Sequence, residues 1–348
     1  MKILICSVHF GPGHTAHLDA YKHLLDECGF ENALYLAPAY LKLFSDENIK
    51  KHIIISLEDA LRFNPDVVWL YNIGFEDRKF IRAFKRRSKL IYVLHEPYMG
   101  IHEILKEGKN IPYMVVAALL NAWICSQSYR VVLSSSYAVA NCKKYMLGTY
   151  QKSLTFPLIF PDKYISTLNR QYFSMIGGYS DPHASDEFLN FVKASYQKNT
   201  IKFQIATRTD ISEKLKDTIL QEMVQDGRLL VHHGRPLTED EMNQAYRRSF
   251  CTWNAYHRST QSGVLANSFM QGTPVIATHL GSFDEYVQDG KNGVFIDDYS
   301  YDSIFNAFQR VKGNMDEMVE NARNTFLTHF YYRNQEEKFK EIVGNLVR

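Results

Sequence analysis

Residues 251–298, CTWNAYHRSTQSGVLANSFMQGTPVIATHLGSFDEYVQDGKNGVFIDD, constrain the fold more tightly than any other stretch. A short apolar strand (251–253) leads through a Ser/Thr/Gln/Gly loop (259–263) into an apolar helix (263–270). A second strand (273–278), a glycine turn, a short helix and a third strand (293–296) follow. Strand, helix and strand in this order make a βαβ passage, which demands a parallel sheet and places ligands at the carboxyl ends of its strands. Because the loop runs straight into a helix start, unbonded backbone N–H groups and the positive end of the helix dipole favour an anion there. A phosphate or diphosphate is the expected occupant, held by the amides of Ser262, Gly263 and Val264.

The same alternation runs through the rest of the chain. Residues 2–8, 67–71, 89–94 and 130–133 are aliphatic runs of the kind a strand covered on both faces requires. Helical patterns lie between them, at 16–29, 56–62 and 137–146. The first strand is followed by Gly11-Pro12-Gly13-His14 and a helix, the opening of a Rossmann-like half; the third glycine and acidic partner of a dinucleotide fingerprint are missing. Two prolines in 155–162 mark a linker, and a second series begins: strands at 173–176, 202–206 and 228–232, helices at 185–195, 212–225 and 239–247. Helices at 300–311 and 315–326 follow, and the last, 334–346, is expected to pack back on the first domain. The reading is therefore α/β with two Rossmann-like domains, 1–160 and 161–330, and a returning helix at 331–348.

Composition limits the function. With 348 residues the chain suits two cores, and 45% apolar with 22% charged residues is ordinary for a globular protein. A net charge of +2 with no basic tail argues against nucleic acid. The five cysteines are scattered without a Cys-x-x-Cys pair, so no disulfide framework or zinc site is expected; no resident cofactor or metal is expected either. The run 1–14 is broken by His9 and lacks a small-residue cleavage site, which reads as a strand and gives a cytoplasmic expectation. Residues 1–160 hold 19 Lys/Arg and 14 Asp/Glu, the remainder 21 and 24. Much of that excess sits at 76–89, a basic amphipathic pattern suited to the inner, anionic face of a membrane or to a solvated surface. The apolar run 111–125 is too short to span a bilayer comfortably and reads as a buried or surface-docked helix.

Gln271-Gly272-Thr273-Pro274-Val275-Ile276-Ala277-Thr278, then Gly281, Glu285, Asp289-Gly290 and Asn292-Gly293, resembles the pattern of retaining glycosyltransferase family 4, whose members have the GT-B fold. Tyr256-His257-Arg258 with Thr260-Gln261-Ser262-Gly263 resembles a loop variant of capsule and exopolysaccharide transferases. The resemblance implies two domains facing each other across a cleft, the second binding a nucleotide-diphosphate sugar and the first an acceptor. It implies donor contacts at Gly13, Gly178, Arg208, Tyr256, Arg258, Thr260, Gln261, Ser262, Gly263, Val264, Asn267 and Glu285. It also places His95-Glu96 at a strand end where substrate would lie, and His14 where inverting GT-B enzymes keep a general base. The family's paired glutamates fall at Ser259 and Asn267, and its Lys-Gly is missing, with His183-Ala184 nearby; Arg208 or Arg258 would then face the diphosphate.

The function expected from these residues is metal-independent hexosyl transfer to a hydroxyl of a glycan or lipid-linked glycan, in polysaccharide or glycoconjugate synthesis. Two alternatives share the fold: a nucleotide-sugar epimerase, which needs no acceptor, and a non-catalytic nucleotide-sugar-binding protein.

Overall fold

The computed structural model describes residues 1–44, 46–74, 77–95, 105, 111–165, 169–259 and 261–347. They form two compact units: Met1–Pro161 with His329–Arg348, and Asp162–Thr328.

The first unit is built on one sheet of β1 (Lys2–Ser7), β2 (Glu31–Leu36), β3 (Ile53–Ile54), β4 (Val67–Asn72), β5 (Lys89–Val93), β6 (Arg130–Leu133) and β7 (Ser153–Thr155). All pairings are parallel, in the spatial order β3-β2-β1-β4-β5-β6-β7. Successive side chains of the central strands enter two different cores. Ile3, Ile5, Trp69, Tyr71, Ile91 and Val93 face one layer; Leu4, Cys6, Val68, Leu70, Leu90 and Tyr92 face the other. Burial on both faces is why these strands read as continuous aliphatic runs.

The first layer is closed by the helix Thr15–Glu27 and by the helix Glu336–Val347. Phe339, Ile342, Val343 and Leu346 enter the same core as Tyr21 and Leu24, so the last helix packs back on the first sheet. The segment 155–162 is less of a spacer than its prolines imply. Phe156, Ile159 and Phe160 are buried, and Phe160 exchanges backbone hydrogen bonds with Phe330 and Tyr332.

One surface helix is shorter than the sequence reading, and another docks as expected. The basic pattern at 76–89 forms a helix only over Arg78–Lys85; Lys89 belongs to β5, and residues 75 and 76 lie outside the described residues. Phe80, Ile81 and Phe84 are buried beneath it, while Arg78, Lys79, Arg82, Lys85, Arg86 and Arg87 are exposed. The apolar run forms Ile111–Gln127, docked through Ile124 and Cys125 but exposing Tyr113, Val116 and Leu119. No described helix is long and apolar enough to cross a membrane.

The second unit carries β8 (Tyr172–Ile176), β9 (Lys202–Ala206), β10 (Leu229–His232), β11 (Ser249–Asn254), β12 (Val275–Ala277) and β13 (Gly293–Phe295). These are parallel in the order β10-β9-β8-β11-β12-β13. Phe173, Phe188, Phe203 and Trp253 meet edge to face or tilted in its core, with centroids 5.2–6.3 Å apart. The helix expected at 212–225 divides into a turn at Lys214–Lys216 and a helix Thr218–Gln225, because Asp217 caps the second by accepting from the Ile219 N–H. The helix Glu239–Arg248 begins with a full capping box between Thr238 and Glu241.

Phe339 is fully buried and lies 5.4 Å from the Trp69 ring and 5.6 Å from Phe156. Phe339→Ala should cost about 3–5 kcal/mol of stability, read as a lower urea midpoint, whereas Lys338→Ala on the exposed face should change it little. Equal midpoints for the two variants would contradict the closure of this core by the last helix.

Candidate functional site

In both units the strand order reverses at the first strand of the series, between β1 and β4 and between β8 and β11. Loops leaving adjacent strands diverge at such a point, opening a crevice at the carboxyl end of the sheet.

In the second unit the crevice lies between the loop after β8 and the loop after β11. Gly177 has φ +117, and a Cβ on it would stand 3.2 Å from Val264 Cγ2. A side chain there would strain the backbone and crowd the start of the helix Gly263–Met270, so glycine lets the two loops touch. Ser262 caps that helix by accepting from the Leu265 N–H. The amides left for a ligand at this helix start are those of Gly263 and Val264. Behind them the buried Tyr256 hydroxyl hydrogen-bonds Ser262, while burial pushes that phenol up to about 12. Both amide atoms of Gln261 are shielded from solvent and, among the described residues, have no hydrogen-bond partner. Buried amides are satisfied by protein, ordered water or a ligand.

The other expected donor residues of this unit lie past the carboxyl ends of β8, β9, β11 and β12. Gly178 follows Gly177, and Arg208 is exposed just past β9. Arg258 is half-buried, and its N–H donates to the Pro182 carbonyl at 3.2 Å. Asn267 spends its Nδ2 on the Gly263 carbonyl at 2.8 Å, leaving its oxygen as an acceptor. Ser259 donates to the Gln261 carbonyl and shapes the loop. Glu285 is exposed on the short helix Phe283–Tyr286 beyond β12 and hydrogen-bonds Tyr286. Thr260 lies outside the described residues.

The segment 271–293 proves largely architectural. Gly272 takes φ +62 to end the helix, and the half-buried Arg170 guanidinium binds the Gln271 carbonyl and Thr273 Oγ1 around it. Asn292 donates to the Tyr286 carbonyl, and a Cβ at Gly293 would collide with Val275.

In the first unit, His14 and His95 come together. Their rings stack at 5.5 Å, and Tyr71 meets both edge-on. His14 makes no side-chain cap to the helix that follows it; among the described residues its buried Nδ1 has no hydrogen-bond partner. His95 Nε2 donates to the Tyr71 carbonyl at 2.9 Å. Burial lowers the pKa of His14 and takes His95 to about 4, so both are neutral at pH 7. Gly13 borders open space, and Glu96 lies outside the described residues. The sequence reading missed Tyr40, whose hydroxyl takes the Gly11 N–H at 2.8 Å and lies 3.0 Å from Ser7 Oγ. It also missed His17, buried against Phe160 with its Nδ1 on the Ile159 carbonyl.

Desolvation takes His17 to about 3 and His95 to about 4 in the folded protein. An imidazole whose pKa is depressed by folding contributes stability that is present above its unfolded value near 6.5 and lost as pH falls. Between pH 7 and 5, each should remove up to about 1.4 kcal/mol per pH unit once protonated in the unfolded chain. His17→Asn keeps a donor for Ile159 without a titrating group, so its urea midpoint should fall less across this range than that of the parent. A parent midpoint independent of pH from 7 to 5 would refute the argument.

Residues 170–314 match the family described as glycosyl transferases group 1. No curated protein matches the sequence. HepE from Anabaena in complex with UDP-glucose superposes with a TM-score of 0.69 at 14% identity, over 99% of this chain and 100% of that one. Sucrose-phosphate synthase from Thermosynechococcus elongatus gives 0.74 at 11% identity, over 100% and 99%. The pneumococcal O-GlcNAc transferase GtfA in complex with UDP and GlcNAc gives 0.69 at 12% identity, over 100% and 99%. The chain thus has the GT-B fold, and residues 170–314 of its second unit match the group 1 glycosyl transferase family.

Proposed function

We propose that this protein is a glycosyltransferase that moves a hexosyl group, without a metal ion, from a nucleotide-diphosphate sugar to a hydroxyl of a glycan or lipid-linked glycan. One observation carries the reading: Gly177 brings the loop after β8 against the first turn of the helix Gly263–Met270, where the strand order reverses. That contact, with the buried Gln261 amide beside it, would serve as a cradle for a diphosphate and its nucleoside. The match to group 1 glycosyl transferases over 170–314, and fold neighbours crystallised with UDP-glucose or UDP, agree with such a donor.

During transfer the acceptor oxygen bonds to the anomeric carbon while the bond from that carbon to the diphosphate breaks. Negative charge then grows on the leaving diphosphate. The amides of Gly263 and Val264 and the guanidinium of Arg258 are the groups that would stabilise it. The first unit would bind the acceptor, with neutral His14, stacked on His95, able to take the hydroxyl proton. Arg258→Ala should lower donor hydrolysis or transfer at least tenfold; unchanged turnover would remove Arg258 from this role.

We also propose that the first unit rests on anionic membrane. Lys85 Nζ hydrogen-bonds Gln127 Oε1 at 2.8 Å, so the exposed basic helix Arg78–Lys85 adjoins the helix that exposes Tyr113, Val116 and Leu119. Exposed basic and apolar side chains on two helices that meet at Lys85 and Gln127 would suit a lipid headgroup layer. The protein should sediment with liposomes containing anionic lipid and less so with neutral ones, and Arg86→Glu with Arg87→Glu should release it. Sedimentation indifferent to both lipid charge and mutation would reject membrane docking.

A further inference from the structure

Resting on the donor site just described, we propose that His183 is a pH-dependent ligand of the donor diphosphate, binding it in the imidazolium form. His183 ends the turn Asp181–His183 in the loop after β8. Its Nδ1 lies 2.8 Å from the Gly178 carbonyl, which can only accept, so Nδ1 carries a proton. The ring lies against this loop, 3.5 Å from where a Cβ on Gly178 would stand.

On its other side the ring packs against Tyr256 at a centroid distance of 4.5 Å. Tyr256 in turn hydrogen-bonds Ser262 at the helix start, and Gly177 touches Val264. His183 therefore sits between the two loops that frame the diphosphate cradle.

The backbone holds it there at a cost. Ala184 is buried in the left-handed region at φ 48, a strained conformation for a residue with a Cβ. Trp253 Nε1 donates to the His183 carbonyl at 3.1 Å, and the N–H groups of His257 and Arg258 both donate to Pro182. These bonds fix the turn from the β11 side.

The neighbouring charges are committed elsewhere. Glu187 and Asp181 face His257, at 3.2 Å and 3.7 Å. Asp186 binds Tyr179 and Lys214. Tyr256 stays protonated through the neutral range because burial raises its pKa. Arg258 is the one guanidinium on the facing loop, and it adds to the attraction for an anion. Among the described residues Nε2 of His183 has no hydrogen-bond partner. With Nδ1 already protonated, a second proton turns Nε2 from an acceptor into a charged donor, the form that a diphosphate oxygen selects. A lysine would hold a constant charge here, whereas histidine ties donor affinity to pH.

The test measures binding of UDP-, GDP-, dTDP- and ADP-glucose by calorimetry at pH 8, 7 and 6, taking forward the tightest. In these sugars both phosphoryl groups are esterified, so the ligand's charge is constant over that range. The parent should bind about tenfold or more tighter at pH 6 than at pH 8, as expected for one gained charge-assisted hydrogen bond. His183→Gln should bind weakly with no such dependence, and His183→Lys tightly with none; retained affinity in the lysine variant cannot come from misfolding. Arg258→Ala should weaken binding at every pH and keep the dependence. Parent-like affinity and pH dependence in His183→Gln would overturn the role of His183 and leave the donor site standing. A parent that binds none of the four sugars at any pH would overturn both.

Discussion

The contact between Gly177 and Val264 is the constraint on which the donor site depends. It occurs where β8 and β11 lie side by side and their loops turn to opposite faces. Parallel pairing fixes the direction of every strand, so all the carboxyl ends meet on one edge of the sheet. The missing side chain at Gly177 lets the backbone of one loop reach the helix start of the other. Tyr256 hydrogen-bonds Ser262 and the His183 ring packs on Tyr256 around that meeting point.

Much of this architecture was legible in the sequence for a physical reason. Strands buried on both faces must be apolar along their length, so β1, β4, β5 and β6 announce themselves. By contrast β2 begins with Glu31 and Asn32, β3 is two residues long and β7 is Ser-Leu-Thr, so none carries a signal above its surroundings. The basic helix was read too long because Arg86, Arg87 and Lys89 continue its charge. The structure ends it where Arg87 and Ser88 fold back on the Phe84 carbonyl and Lys89 joins the sheet. The helix Gly263–Met270 was found with its bounds because a Ser cap and a Gly272 stop enclose an apolar stretch.

The site divides along the same line. Residues in the loop 256–264 were visible because loop, cap and helix follow each other in sequence. His14 and His95 were each suspected, yet their stacking depends on β1 and β5 flanking β4, which no local pattern reveals. His183 was noticed only as an oddity. Its meaning needs Gly178, Tyr256 and Trp253, and the last two lie some seventy residues away. The motif 271–293 drew attention to the right region, although its members mostly shape the turn after the helix and the approach of β12 to β13.

The return of the helix Glu336–Val347 to the first sheet bears on how the chain acquires its shape during synthesis. The second unit is continuous in sequence and can complete its core as soon as residue 328 is available. The first cannot: its sheet appears early, but the layer holding Trp69, Tyr21 and Phe156 lacks Phe339 and Leu346 until residues 336–347 have been made. Of the two, the unit begun first is thus the last to be sealed. Its open apolar face is the surface that chaperones would have to shield in the meantime.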